Sequence, residues 1–299
     1  MSRSSSWLVA LHCSIAAACG SSAGTTCTTD DQCASHFCRA DGTCAPATAD
    51  APSARSDALA DGTPGACTPD ATGQITLAQL PLLAGQSAKF RIATNVTWNT
   101  AGTANTDGSR SWDLSGQLSG DADQMLTLAS PQGAWWAGDF ATATYATALS
   151  TSSNLLGVFA VDATGVALLG VVSPAAGSMK TELTYDPPAT IVAVPVMAGS
   201  TWSSTSTVTG TAEGALVDYD EKYDSSVDQV GTMTTPYGSF PVLRVATNLT
   251  RTEGVATVLT NKTFSWMAQC FGAVATVQSQ SFETGSEFSS DAEVERLAP

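Results

Sequence analysis

The stretch KFRIATNVTW, residues 89–98, decides the fold. Phe90, Ile92, Val96 and Trp98 interleave with Lys89, Arg91, Asn95 and Thr97, the period of a strand with one face buried and one wet. Further along, NLLGVFAVDATGVALLGVVS (154–173) sets two apolar runs around Asp162-Ala163-Thr164-Gly165, the pattern of a hairpin with a short loop. Ser and Thr are abundant, the helix formers Lys, Glu and Gln are scarce, and no segment keeps a 3.6-residue stripe. Residues 67–280 therefore read as an all-β domain of antiparallel strands, and residues 281–299 as an acidic C-terminal tail.

Toward the N-terminus the character changes. Residues 1–22, MSRSSSWLVALHCSIAAACGSS, carry one early positive charge at Arg3, an apolar run from Trp7 to Ala18, and small residues around Cys19. That is the shape of a bacterial secretory signal over residues 1–18, with an apolar run too short to span a bilayer. Ala16-Ala17-Ala18-Cys19 before Gly20 resembles a lipobox, which implies acylation of Cys19 and a membrane contact through that anchor. Cleavage after Ala23 is the competing reading.

Cys13 leaves with the signal, and Cys19 is either acylated or removed. Six cysteines remain, Cys27, Cys33, Cys38, Cys44, Cys67 and Cys270, an even number that in an exported chain implies three disulfides. The spacing from Cys27 to Cys44 is C-x5-C-x4-C-x5-C. It lacks the C-x2-C knuckle of a zinc site and of a thiol–disulfide oxidoreductase, so it reads as a staple. His36 inside it reads as a surface residue. The cluster resembles the small cysteine-rich modules that follow the signal in many secreted and surface-anchored bacterial proteins, and makes residues 19–44 a lipidated, stapled module. Residues 45–66, rich in Ala, Pro and Asp, read as a disordered linker. Cys67 and Cys270, if they pair, tie the start of the main domain to its near-final strand.

The second half of the main domain contains YDPPATIVAVPVMAGSTW (185–202), GTMTTPYGSFPVLRV (231–245) and FSWMAQCFGAVATV (264–277). Pro187 and Pro188 suit a loop or edge, and Pro236 to Gly238 a turn before a strand at Phe240. The order T-P-x-G-x-F-x-x-x-R-V, then W-x-A, then G-x-V-A looks like a group of uncharacterised bacterial envelope proteins, similar in turn to the half-barrel lipoprotein carriers of the periplasm. The resemblance covers roughly residues 180–280. It implies a strongly curved antiparallel sheet, half-barrel or sandwich-like, and says more of shape than of activity. Cys270, between the last two pieces, departs from the pattern and bears on how open the concave side is.

Chemistry is constrained mostly by what is missing. No histidine follows residue 36, which removes Ser-His-Asp hydrolysis, Cys-His proteolysis and histidine-bound zinc from the main domain. No G-x-S-x-G elbow, P-loop or dinucleotide fingerprint occurs, and neither a metal nor another cofactor is expected. The net charge of −15, with the lysines Lys89, Lys180, Lys222 and Lys262 far apart, argues against a nucleic-acid partner. Asp218, Asp220, Glu221, Asp224 and Asp228 form the densest carboxylate run; without the glycine and closing glutamate of a calcium loop it reads as a solvated acidic loop. Trp98, Trp202 and Trp266 fall on strand patterns and read as core. Trp135 and Trp136, adjacent in sequence, point to opposite faces if extended, so one of them is a candidate ligand contact, with packing on both faces as the alternative. The N-x-T triplets at Asn95, Asn248 and Asn261 read as coincidence in a Thr-rich bacterial chain.

These readings predict an exported, lipid-anchored protein of the bacterial envelope, at the outer membrane or cell surface, whose main domain is a non-enzymatic binding or interaction module. The alternative is a carrier or sensor holding an apolar, lipid-like ligand in the concave sheet. A carrier needs room between the inward faces of residues 155–172 and 240–277; an interaction module fills that space with side chains; an enzyme needs two carboxylates converging in a cleft, one with a raised pKa.

Overall fold

The computed structural model describes Thr26, Thr28 and residues 67–151 and 153–299. The chain divides into two units, Met1–Arg55 and Ser56–Pro299. The cysteine cluster at 27–44, the Cys19 anchor and the linker lie outside the described residues.

Residues 67–299 are built of strands: β1 (Gln74–Ile75), β2 (Ser87–Thr97), β3 (Thr103–Ala104), β4 (Arg110–Asp113), β5 (Ala122–Thr127), β6 (Tyr145–Ala148), β7 (Leu156–Asp162) and β8 (Gly165–Val172). There follow β9 (Glu182–Ala193), β10 (Val196–Met197), β11 (Thr201–Ala212), β12 (Ala215–Thr234), β13 (Ser239–Glu253), β14 (Ala256–Ala268), β15 (Gly272–Ser279) and β16 (Ser290–Leu297). A 3-10 turn, Leu77–Gln79, follows β1. Among the described residues no helix is long and apolar enough to cross a membrane.

One sheet runs in the order β5-β2-β16-β15-β14-β13-β12-β11-β9-β8-β7-β6. Its ends nearly meet: Ala129 and Ala146 exchange both backbone hydrogen bonds, at 2.7 and 2.9 Å. The result is a nearly closed, strongly curved antiparallel sheet, as expected for the fold class. The hairpin at 162–165 and the turn at Pro236 to Gly238 also form where expected. One exception to the antiparallel rule is β4, which runs parallel to the end of β12 with Arg110 opposite Gly231. Gly231 is required there, because a Cβ would stand 1.8 Å from the Arg110 carbonyl oxygen.

Two corrections concern acidic segments. The run 218–228 is not a loop but the middle of β12. Its alternation sends Asp218, Asp220 and Lys222 to solvent and Tyr219, Glu221 and Tyr223 inward. Residues 281–299 are not a free tail: β16 lies between β15 and β2, with Val294 and Arg296 fully buried. Charged residues recur along both stretches, which makes them look solvated, while the residues between them carry packing.

Apolar side chains gather on both faces of the sheet. On the concave face Tyr145, Phe159, Leu168, Tyr185 and Val208 pack with Tyr219 and Tyr223 of β12. Strands distant in the sheet order meet here only because it curves. Phe159 stacks on Tyr145 at 5.2 Å. One end is closed by Ile75, Leu80 and Val196 against Val227, Leu243, Val245 and Met267. The Cys67–Cys270 disulfide, across a separation of 203 residues, holds that plug with a hydrogen bond from Cys270 N to Gln79 O.

The convex face is covered twice. Trp112 and Leu114 of the β3–β4 segment, with Phe288, lie over Phe264, Trp266, Val277 and Val294. Trp266 touches Trp98 and Trp112 edge-on, each at 5.6 Å. Elsewhere Trp136 and Phe140 cover Val158, Leu169 and Val172. The opening stretch obeys its alternation only up to Asn95, whose positive φ of 53° shifts the phase. Val96 consequently joins Ala93 in the convex core, whereas Ile92 pairs across to Glu295.

Arg244 of the T-P-x-G-x-F-x-x-x-R-V segment clamps the cover. Its Nε and Nη2 donate to the Asp228 carboxylate (3.0 and 2.7 Å), Nη1 and Nη2 to Glu287 (3.0 and 2.6 Å), and Nη1 to the Thr100 carbonyl (2.8 Å). The guanidinium also sits over Phe264, 4.1 Å from the ring centre. Burial opposes its charge, but the hydrogen bonds to Asp228 and Glu287 prevail and raise its pKa. Arg296 does the same for the 114–121 loop, donating to Leu114 O (3.0 Å), Gly116 O (3.2 Å) and Asp121 (2.8 and 2.6 Å).

Candidate binding site

The two covers leave one sector of the convex face open, the outer side of β9, β11, β12 and the far half of β13. Strand β11 reads TWSSTSTVTGTA, so Thr201, Ser203, Thr205, Thr207 and Thr209 form an exposed ladder of hydroxyls, spaced about 6.6 Å apart by strand geometry. Beside it stand Asp218, Asp220, Lys222, Asp224 and Ser226 of β12. Ser203 donates to Asp224 (2.7 Å) and Thr207 to Asp220 (2.8 Å). Lys222 reaches Asp224 at 2.9 Å, and its hydrogen bond holds that carboxyl below the ordinary range.

A hollow of about 540 Å³ opens on this sector, lined by Thr201, Trp202, Ser203, Asp224, Ser225, Ser226 and Asn248. Hydroxyls, an amide and a carboxylate supply donors and acceptors over an open surface. Such a lining, with Trp202 among it, suits a hydrated, hydroxyl-rich ligand.

The tryptophans singled out from the sequence are placed in packing. Trp136 is buried against Phe140, with ring centres 6.2 Å apart. Trp135 is half-buried, donates its indole N–H to Ser173 O (3.0 Å), and is covered by the Lys180 ammonium 3.9 Å from its ring centre. They occupy a turn rather than a strand, so their opposite-face geometry does not arise. Cys67 and Cys270 are bonded to each other.

The concave side holds charge as well as apolar groups. Glu221, 1 % exposed, accepts from Tyr185 (2.9 Å), Tyr223 (2.6 Å) and Arg251 Nε and Nη2 (2.9 and 2.6 Å). With all its strong partners inside the domain, this carboxylate is a structural bolt. Burial first, then the nearby charge, raises the pKa of Tyr185 and Tyr223.

Along β16, Glu293 and Glu295 line a second, smaller hollow of about 120 Å³ with Leu149, Thr263, Thr276 and Gln278. Burial, then the neighbouring Glu293, pushes Glu295 up to about 8. Sequence reading missed this pair; the available signal was the alternation of Glu293 and Glu295 with Val294 and Arg296. Among the described residues no group of three or more His, Cys, Asp or Glu is placed to hold a metal ion.

Comparison with family models, with curated proteins and with solved structures finds no match for this chain.

Proposed function

We propose that the chain is an exported bacterial envelope protein, anchored through a lipid on Cys19, whose β domain is a non-enzymatic binding module for a hydroxyl-rich polymer such as an envelope or extracellular polysaccharide. The observation that carries this reading is the distribution of covers. Most of the convex face is armoured, the concave face of β6 to β12 is occupied by Phe159 and four packed tyrosines, and the sector left open bears the hydroxyl ladder and the 540 Å³ hollow. A carrier of apolar ligands needs the opposite arrangement.

The test is binding of the mature chain to an array of bacterial and extracellular glycans, beside Asn248→Trp, which fills the hollow from an exposed position. The parent should bind saturably and the variant at least tenfold more weakly, with equal melting temperatures. Absence of glycan binding, with a lipid-mass adduct that survives native mass spectrometry and is lost on unfolding, overturns the reading in favour of the carrier. The anchor is tested separately: labelled palmitate should enter the chain and fail to enter Cys19→Ala.

A further inference from the structure

The smaller hollow stands apart from the open sector, on the opposite face of the sheet. Register fixes its floor: Thr263 lies opposite Gln278, Gln278 opposite Glu293, and Thr276 opposite Glu295. Directly paired residues share a face, so Glu293 and Glu295 stand on one side of β16, a single row of about 6.6 Å apart. The chain that leaves β6 is tied across this floor. Leu149 lines the hollow, and Glu293 Oε2 accepts from Thr151 N (3.0 Å), Ser150 Oγ (3.4 Å) and Thr151 Oγ1.

Glu295 is hydrogen-bonded to Glu293, which is also its one ionisable neighbour. The elements packed around the pair bring Thr263 from β14, Thr276 and Gln278 from β15, Ile92 and Thr94 from β2, and residues 149–151. None of these side chains is charged. On the same strand Asp291 accepts from Trp98 N, and Arg296 is turned to Asp121. Across the concave face Glu221 and Arg251 are paired with each other, and burial keeps Tyr145, Tyr185, Tyr219 and Tyr223 neutral. With no cation at hand, two ionised carboxylates side by side in this enclosure are costly, and one proton held between them removes the cost.

We propose that residues 149–151 are a pH-sensitive strap over the hollow, latched on Glu293 and released as Glu295 gives up the proton it shares with Glu293. With the strap in place, burial and then Glu293 hold the Glu295 carboxyl at about 8, against an ordinary value of 4.5. With the strap lifted, water reaches both carboxyls, and Glu295 returns toward that ordinary value. Between the two values the closed form binds one proton more than the open form. Linkage then makes the opening equilibrium constant rise about tenfold per pH unit from about pH 4.5 to 8 and level off above it. Lifting a short segment exposes the pair at far lower cost than unfolding the sheet, so the strap is where the strain is released. The hollow is closed in acid and opens toward alkaline pH, uncovering the polar floor of Thr263, Thr276 and Gln278.

The experiment is amide hydrogen exchange at Thr151, the backbone donor to Glu293, in the full mature chain from pH 5 to 9.5, corrected for the intrinsic pH dependence of exchange. The opening constant should climb by about tenfold per pH unit and flatten above about pH 8. The amides of β15 around the fully buried Val277 should stay at least a hundredfold better protected throughout, which separates lifting of the strap from unfolding. Glu295→Gln keeps a donor for Glu293 and cannot titrate, so its opening constant at Thr151 should vary less than twofold over the same range. A pH-independent opening constant in the parent overturns the proposal, and that result needs no variant. So does the parent's slope persisting in Glu295→Gln, or protection at Thr151 equal to that at Val277.

Discussion

Replacing Arg244 by Met tests whether the cover over β13 and β14 is held by one guanidinium. All five of its N–H groups are used, on Asp228, Glu287 and the Thr100 carbonyl. Removing one partner from a buried ion pair costs about 3–5 kcal/mol, because the charges left behind stay desolvated. Asp228 and Glu287 keep side-chain exposures of 30 % and 31 %, so water recovers part of that loss and the low end, about 3 kcal/mol, applies. For a domain of this size the melting temperature should fall by about 6–12 °C. Arg244→Lys supplies a point charge that cannot span both carboxylates, and should restore less than half of the loss. The assay is thermal unfolding by circular dichroism, with amide exchange over residues 99–115, whose protection should fall first because the Thr100 carbonyl keeps only the Trp112 indole of its two side-chain donors. A melting temperature of Arg244→Met within 1 °C of the parent, or full rescue by lysine, refutes the reasoning.

The other predictions are shorter. Replacing Cys67 and Cys270 together by Ser opens a loop of 203 residues, and on the chain-entropy account lowers stability by up to about 5 kcal/mol, measured by urea unfolding with and without reductant. Gly231→Ala places a methyl against the Arg110 carbonyl and should part β4 from β12, whereas Gly238→Ala, with open space around it, should melt with the parent. Two carboxyls give opposite pH dependences. Glu287 sits below its ordinary pKa because hydrogen bonding to Arg244 outweighs its burial, so its contribution is present above about pH 4.5 and is lost as pH falls through the folded value. Asp291 is pushed up to about 7 by burial, so the folded chain keeps a proton the unfolded chain has released, and stability falls as pH rises from about 4 toward 7. Asp291→Asn should therefore melt above the parent at pH 8 and with it at pH 3.5; equal melting at both refutes the assignment.

Strand content was legible because alternation is local, and Phe159, Leu168 and Trp266 could be marked as core from their own neighbours. The turn at Pro236 to Gly238 was legible for the same reason, from residue types with restricted geometry, and the tie between Cys67 and Cys270 from the even number of cysteines. Other features set by a partner far along the chain escaped. Arg244 looks like a surface arginine until Asp228 and Glu287 stand beside it. Trp112 lies in a four-residue strand whose burial depends on β14 beneath it. Glu221 sits in a run of carboxylates that reads as solvated, and only Tyr185, Tyr223 and Arg251, from three strands, explain why that one position turns inward.

The strand patterns also mislead for a deeper reason: the apolar side of this sheet changes face along its length. In β9 and β11 apolar residues point inward and the outer side of β11 is left to hydroxyls, while β7 and β8 are apolar on both faces, the outer one beneath Trp136 and Phe140. In β14 to β16 the strongest apolar set, Phe264, Trp266, Val277 and Val294, points outward beneath the cover, and the inward side carries Thr263, Thr276, Gln278, Glu293 and Glu295. Alternation reports that a strand has two kinds of face without saying which is the inside. Stability and ligand contact are thereby assigned to different sectors of the sheet, the one packed beneath the covers and the other left uncovered. Changes beneath the covers, at Arg244 or Gly231, should move the melting temperature, while a change at Asn248 should move binding and leave the fold intact.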